Sequence, residues 1–235
     1  MNEVALSFKR PSKEVIERFR KMATPSICEC LGGSSNIRTY MSSAIKPIIK
    51  GTKICGPAAT CLCHVGDNLM LHKALQLAES GDVLVVTHGG FTEAAPWGEM
   101  MSLAAKKKGL EGLVIDGAVR DTPIIPEIGF PVFARGSAMA GTVKSAPGLV
   151  NRPIQCGDVY VKPGDIVIGD DDGVVIVPKE IALEVLEKAE ARENNEEKDA
   201  RRIKNGEMTD FMANLQPAYD KLINSGKLKE IPFAE

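Results

Sequence analysis

A chain of 235 residues is long enough to bury one sizeable core and carry an extension. Its hydrophobic content of 44% and charged content of 26% are ordinary for a globular protein. A net charge of -2, with both signs interspersed, excludes a general electrostatic footprint for nucleic acid. The opening MNEVALSFKR has no apolar run of signal-peptide length and no segment reaches a membrane span, so a cytoplasmic chain without a membrane partner is expected.

The first predicted helix runs from Pro11 to Ala23, with Val15, Ile16, Phe19 and Met22 at helical spacing. Thr24-Pro25 reads as an N-cap and first helical residue of a second short helix that Gly32-Gly33 ends. Residues 34–57 are turn-rich, with one strand around Lys46–Ile49, and Ala58–His64 is a strand. Gly66-Asp67-Asn68 opens a helix to about Ala78, in which His72 reads as a packed residue. Gly81-Asp82 then turns into Val83-Leu84-Val85-Val86, a continuous apolar run of the kind buried on both faces.

A helix from about Pro96 is closed by Lys106-Lys107-Lys108-Gly109, and a strand occupies 112–116. Asp121-Thr122-Pro123 starts a short helix ending before Gly129, and Phe130–Ala134 is a short strand. The pattern then becomes β-like, with strands at Val159–Lys162, Ile166–Gly169 and Val174–Val177. Asp170-Asp171-Asp172-Gly173 lacks the spaced ligands of a calcium loop and reads as a tight turn. From Lys179 the chain is helical and highly charged through Ile203, and a last helix covers about Thr209–Ser225. The whole is a mixed α/β core at about 34–178, flanked by N-terminal helices (1–33) and a C-terminal helical arm (179–235).

Six cysteines without a secretory signal argue against a disulfide framework. Cys61-Leu62-Cys63 leaves one residue between thiols where structural zinc sites leave two to four, and on a strand the two side chains share a face. Buried thiols are therefore expected. The three lysines before Gly109 look like a solvated helix end rather than a desolvated Schiff-base nucleophile.

The chemistry concentrates in Trp97-Gly98-Glu99 and, after 20 intervening residues, Arg120-Asp121 at the end of Asp116-Gly117-Ala118-Val119. One helix and one buried strand fill that interval, so the chain returns and the acid at the helix start meets the Arg-Asp pair at the strand end. Ligands of open α/β sheets sit outside the carboxyl ends of strands. Pro96 suits the first helical position, and the backbone N–H groups from Trp97 through Met101 include donors without an intrahelical partner, an anion pocket. Gly98 lets a ligand approach the backbone closely. The planar, permanently charged guanidinium of Arg120 suits a carboxylate, and Asp121 is an oxygen ligand of the type Mg²⁺ accepts. The plainer alternatives are a dipole-favoured Glu99, an Arg120 surface ion pair and an Asp121 helix cap.

Trp97-Gly98-Glu99 with Asp116-Gly117-Ala118-Val119-Arg120-Asp121, Gly66-Asp67-Asn68, Gly81-Asp82-Val83-Leu84-Val85-Val86 and Gly169-Asp170-Asp171-Asp172-Gly173-Val174-Val175 resembles the RraA-like family over about residues 9–210. Within it, the resemblance is to the class II 4-hydroxy-4-methyl-2-oxoglutarate / 4-carboxy-4-hydroxy-2-oxoadipate aldolases. It implies a layered α/β/β core of the swivelling-domain type and cleavage of such a 2-oxo acid to pyruvate. Oxaloacetate decarboxylation through the same pyruvate enolate is implied too. By the resemblance Asp121 holds Mg²⁺ or Mn²⁺ directly and Glu99 acts through water. Arg120 stabilises the enolate oxygen, and Gly98, Glu99, Met100 and Met101 hold the pyruvyl end. A further acid, Glu196 or secondarily Glu197, reaches the site through water from a neighbouring subunit, which implies a homotrimer or homohexamer. The sequence does not place the region that contacts the distal end of the substrate; Arg38–Tyr40 and His88–Glu93 are the segments to examine. The family's name-giving member is instead a non-catalytic regulator that binds a ribonuclease, the alternative for this chain. No Gly-rich strand-turn-helix with a following acid points to a nucleotide-like methyl donor.

Overall fold

The computed structural model describes residues 2–32, 38–207 and 215–231. Backbone contacts divide the chain into two compact units, the first through Ala189 and the second from Glu190.

In the first unit the strands are β1 (Glu3–Val4), β2 (Lys46–Pro47), β3 (Ile54–Leu62), β4 (Val83–Thr87), β5 (Gly112–Val119), β6 (Val132–Ser137), β7 (Leu149–Val150), β8 (Ile154–Cys156), β9 (Val159–Val161), β10 (Ile166–Asp170) and β11 (Gly173–Val177). The helices are α1 (Lys13–Phe19), α2 (Thr24–Cys30), α3 (Leu69–Leu77), α4 (Glu99–Lys108), α5 (Ile125–Ile128) and α6 (Ala182–Lys204), the last entered through a 3-10 turn at Lys179–Ile181 and continuing into the second unit. Strands β3, β4, β5 and β6 run parallel, side by side in that order, with β2 antiparallel on the β6 edge and β7 on the β3 edge. β3 serves two sheets: Ile54–Pro57 pairs antiparallel with β10, and Ala58–Leu62 pairs parallel with β4.

Period-two alternation explains the layering. Leu84 and Val86 of β4, with Leu113 and Ile115 of β5, face a cluster holding Leu71 and Ala74 of α3, Met101 and Ala105 of α4, and Trp97. Val83, Val85 and Val114 face the opposite way, onto Ile154, Cys156, Val159 and Val161 of the β8–β9 hairpin and Val167 of β10. Both faces are covered, which is why β4 reads as an unbroken apolar run. A third cluster joins α1, α2 and the start of α6 to β10 and β11, through Phe19, Ile27, Ile168, Val175 and Leu186. The α/β/β layering expected from the sequence is the fold observed.

Several element boundaries differ from the sequence reading. The second helix is capped at Ala23; Thr24 is buried, and its N–H and hydroxyl both donate to Asp170, at 3.1 and 2.6 Å. The Asp170-Asp171-Asp172 run is a turn, and each carboxylate that closes it binds backbone: Asp170 takes the N–H of Asp172 and Asp171 takes that of Gly51. Strand β5 extends to Val119, three residues beyond expectation, because Arg120 N–H bonds Trp97 O and Val119 bridges Trp97. The strands β1, β7 and β8 are two or three residues long, too short for periodicity to reveal. Cys61 and Cys63 are buried with their sulfurs 3.7 Å apart, and all six cysteines are free thiols.

The second unit holds the rest of α6 and a helix α7 (Gln216–Asn224) that ends before Gly226. The expected start of that helix, at about Thr209, lies outside the described residues. Tyr219 donates to Glu230 at 3.0 Å, tying α7 to the tail that follows it. Among the described residues no helix is long and apolar enough to cross a membrane.

Candidate functional site

Thr87, at the end of β4, lies opposite Asp116 of β5, and the loop leaving β4 returns to bridge the end of β5, Trp97 beside Val119, before α4 begins. That loop is fixed by four contacts. Trp97 is buried, stacks on Phe130 at 5.9 Å between ring centroids, and gives its indole N–H to Ser102 Oγ at 2.7 Å. Ser102 Oγ donates in turn to Gly98 O, at 3.0 Å. Asn68, at the foot of α3, gives its amide N–H to Pro96 O at 2.9 Å. Truncating Trp97 to alanine in such a setting costs roughly 3–5 kcal/mol.

The helix start differs from expectation in a way that matters. Pro96 is not its first residue; Gly98 is the cap, in extended backbone, and Glu99 opens the helix. Pro96 and Trp97 instead continue as extended chain, because Trp97 bridges β5. Of the expected backbone donors, the Glu99 N–H is already taken, by Asp121 Oδ2 at 2.9 Å. The N–H groups of Gly98, Met100 and Met101 have no acceptor among the described residues and are donors left for an anion. Met100 is exposed and Met101 buried, so their common contribution is backbone.

Asp121 sits at φ 58, in the left-handed region that few residues other than glycine adopt. The conformation points its carboxylate back at α4 instead of capping α5, whose cap is Ile124; only the Asp121 carbonyl serves α5, accepting from Ile124 and Ile125. With Oδ2 engaged by Glu99, Oδ1 accepts no hydrogen bond among the described residues. Gly98 is required here for space: a Cβ would collide with Asp121 Oδ2 and stand 3.0 Å from Arg120 Cγ.

Arg120 Nε lies 3.7 Å from Asp121 Oδ2 and has no closer acid partner among the described residues; its side chain is 48% exposed. Elsewhere in this unit guanidinium groups are committed: Arg10 to Asp82, Arg20 to Glu111, Arg135 to Asp116. Glu99, Arg120 and Asp121 line one cavity of about 360 Å³ together with Gly98, Met100 and Met101, so the structure brings all six expected residues of this unit to one place.

The cavity has walls that the sequence reading did not assign. Asn68 and His72 come from α3 and the residue before it, and Gly141, Thr142 and Lys144 from the loop after β6. His72 was read as a packed residue, but it is exposed, and partial burial followed by the nearby Lys144 charge holds its imidazole below the usual range. Asp67 fixes the loop. Its carboxylate accepts from the N–H groups of Leu69, Ser145 and Ala146, at 2.8, 2.6 and 2.9 Å, and main-chain bonds join Asn68 to Val143 and Val143 to Gly66. Burial pushes the Asp67 carboxyl upward, but these donors outweigh it and hold the acid below its usual range. Nothing periodic marks residues 138–147; Gly66-Asp67-Asn68 was the available signal. Neither Arg38–Tyr40 nor His88–Glu93 lines this cavity. Arg38 and Tyr40 line a second cavity of about 290 Å³, and His88 is buried, its Nε2 accepting the Gly66 N–H at 2.8 Å.

The donor set suits a hard cation that retains water. Among the described residues no group of three or more His, Cys, Asp or Glu is placed to cage a metal. The cavity offers the open Asp121 oxygen and the half-buried Glu99, which fits Mg²⁺ or Mn²⁺ holding several waters and not a closed zinc site. Glu196 belongs to the second unit, on α6, where Arg192 pairs with it at 2.8 Å, and Glu197 pairs with Arg201.

Comparison with known proteins adds an independent line. A family model described as RraA-like, Aldolase/RraA, matches residues 24–176. A Halalkalibacterium halodurans protein that bears the provisional name 4-hydroxy-4-methyl-2-oxoglutarate aldolase is 37% identical over 195 residues, 83% of this chain and 91% of that one. The crystal structure of Streptomyces coelicolor RraAS2, titled an unusual member of the RNase ES inhibitor RraA protein family, superposes with TM-score 0.74 at 32% identity, covering 83% of this chain and 99% of that one. A structure titled as the RNA-processing inhibitor RraA of Thermus thermophilis gives TM-score 0.59 at 26% identity, over 67% of this chain and 93% of that one.

Proposed function

This chain belongs to the RraA-like family, and within it we propose that it is a divalent-metal-dependent class II aldolase that releases pyruvate from 4-hydroxy-4-methyl-2-oxoglutarate or 4-carboxy-4-hydroxy-2-oxoadipate. Oxaloacetate decarboxylation is the expected companion activity. The observation that carries the reading is Arg120: a half-exposed guanidinium whose one acid partner among the described residues, Asp121 at 3.7 Å, lies in the same cavity, beside the open first turn of α4 and an available carboxylate oxygen on Asp121. A regulator of the kind two structural relatives are described as, one in an RNase ES inhibitor family and the other an RNA-processing inhibitor, needs a docking surface and has no use for this arrangement.

In this reading the free N–H groups of Met100 and Met101 hold the pyruvyl carboxylate at the positive end of α4. Arg120 stands at the C2 oxygen and meets the negative charge that grows there as the C3–C4 bond breaks. Glu99 takes the proton of the C4 hydroxyl, directly or through a water, so that the electron pair of the C3–C4 bond passes into the enolate while C4 becomes a carbonyl. A proton delivered to C3 then gives pyruvate. Asp121 would hold the cation, with Glu99 and a neighbouring subunit's Glu196 acting through water, and a cation bound there supplies Lewis-acid charge stabilisation. Gly98 leaves the room all of this needs. Oxaloacetate loses carbon dioxide through the same enolate, without a hydroxyl proton to remove, so decarboxylation depends less on Glu99. The shared acid makes self-association, as a trimer or hexamer, part of the proposal.

Enolisation can be read without the cleavage substrate. With Mg²⁺ in D₂O, the protein should exchange the methyl protons of pyruvate, followed by NMR. Arg120→Ala should slow exchange by about 10²–10³-fold while the circular dichroism is unchanged. No exchange by the unaltered chain, or full exchange by the variant, contradicts the reading.

A further inference from the structure

Two walls of the cavity hang on a residue outside it. His88, at the end of β4, is fully buried, and its Nε2 accepts the Gly66 N–H at 2.8 Å, so the ring is neutral with its proton on Nδ1. Gly66 stands at φ 76, and its carbonyl in turn accepts the Val143 N–H at 2.9 Å. The next two residues extend the connection. Asp67 holds the N–H groups of Ser145 and Ala146, Asn68 N–H bonds Val143 O at 3.0 Å, and the Asn68 amide holds Pro96 O. Gly141, Thr142 and Lys144 line the cavity from one of the segments so fixed, and Pro96 and Trp97 from the other. A single acceptor, His88 Nε2, stands behind both.

The ring has little room to answer a proton by moving. The His88 N–H bonds Asp116 O at 3.2 Å, Phe91 meets the ring edge-on at 5.8 Å between centroids, and a Cβ on Gly117 of β5 would stand 2.9 Å from the His88 Cβ. Nδ1 makes no hydrogen bond among the described residues. Of the titratable groups acting on the ring, both on the turn, His64 opposes its protonation and Asp67 favours it, as do the Phe91 and His64 carbonyls. On β5 the Asp116 carboxylate is committed to Arg135 and the Gly157 N–H. Burial outweighs the rest and holds the imidazole below its usual range. A protonated ring would set Nε2–H against the Gly66 N–H, donor to donor. Its acceptor on the turn is the His64 carbonyl, which already closes that turn by accepting the Asp67 N–H at 3.0 Å.

We propose that His88 is a positioning residue for the cavity: its neutral Nε2 seats the Gly66–Asn68 turn, and protonating it releases the wall formed by residues 141–146 and slows turnover. The coupling stands on the hydrogen bonds, whereas its effect on turnover rests on the aldolase reading and deepens it.

Amide hydrogen exchange, and pyruvate methyl exchange with Mg²⁺, both followed from about pH 7.5 to pH 5, test the two halves separately. In the unaltered chain, protection at Gly66, Val143, Ser145 and Ala146 should hold at neutral pH and fall about tenfold as pH drops below about 6.5, while β4 and β5 keep theirs. Methyl exchange should fall with it. His88→Ala should show the low protection at every pH. In His88→Gln, Oε1 accepts from Gly66 without titrating, so this variant should recover most of the protection, lose its acid fall and reduce the acid fall in methyl exchange. His72 is present in every variant and does not account for the difference. If His88→Gln falls with pH as the unaltered chain does, if His88→Ala leaves Ser145 and Ala146 protected, or if its loss spreads evenly over β4 and β5, the inference is overturned, and methyl exchange by the unaltered chain leaves the aldolase reading standing. Methyl exchange that does not follow protection overturns the effect on turnover. If protection behaves as expected but the unaltered chain exchanges no pyruvate protons, the coupling stands and the aldolase reading falls.

Discussion

Asp121 holds the site together at the scale of single residues. It adopts a left-handed backbone, engages Glu99 N–H through one carboxylate oxygen and leaves the other, which the proposal gives to a cation, without a hydrogen bond among the described residues. Asparagine tolerates the same backbone region and can keep the hydrogen bond through its amide oxygen, but it lacks the charge. Asp121→Asn should therefore retain the thermal midpoint within a few degrees and require at least about tenfold more Mg²⁺ for half-maximal activity. An unchanged Mg²⁺ titration would remove Asp121 as the ligand. Glu99, Arg120 and Asp121 were legible in the sequence because a closed helix and an apolar strand fill the interval between them, which fixes where the chain must return. The donors at the helix start were legible only in part: that Asp121 itself uses the Glu99 N–H depends on a backbone angle no spacing encodes.

Among the elements, the parallel strands and their helices could be read because burial on both faces leaves continuous apolar runs, as in Val83–Val86 and Gly112–Ile115. The loop carrying Gly141, Thr142 and Lys144 could not, since its position is set by Asp67, more than 70 residues earlier, through backbone donors that are the same in every residue. The turn at 64–68 that bears Asp67 depends in its own right on a neutral His88, whose Nε2 accepts the Gly66 N–H. Burial lowers the His88 pKa, so the folded state favours the unprotonated ring. That stabilisation is fully present above the unfolded-state value near 6.5 and is lost as pH falls from it toward the lower folded value. The thermal midpoint should accordingly drop on acidification from about pH 7 to pH 5. In His88→Gln the midpoint should be lower at neutral pH and its slope across that range reduced. An equal slope in both proteins would show that His88 does not set the dependence.

For the whole molecule, the cavity residues all come from the first unit, whereas Glu196 lies in the second, on α6, where it pairs with Arg192. The resemblance that assigns this acid to a neighbouring subunit makes a prediction about mixtures. Asp121→Asn and Glu196→Gln chains, each impaired alone, should regain up to about a quarter of normal turnover after co-refolding, because some mixed sites then contain both intact acids. Light scattering should show the same assembly in all three preparations. No recovery in verified mixed assemblies would contradict the sharing.

The proposed function requires metal-assisted release of pyruvate. The direct measurement is pyruvate formed from 4-hydroxy-4-methyl-2-oxoglutarate, with Mg²⁺ or Mn²⁺ and then with excess EDTA, followed by restoration of the metal. Steady release that EDTA abolishes and added metal restores is the predicted result. Release that persists in EDTA would contradict the role given to Asp121, and no release with either metal would contradict the aldolase itself.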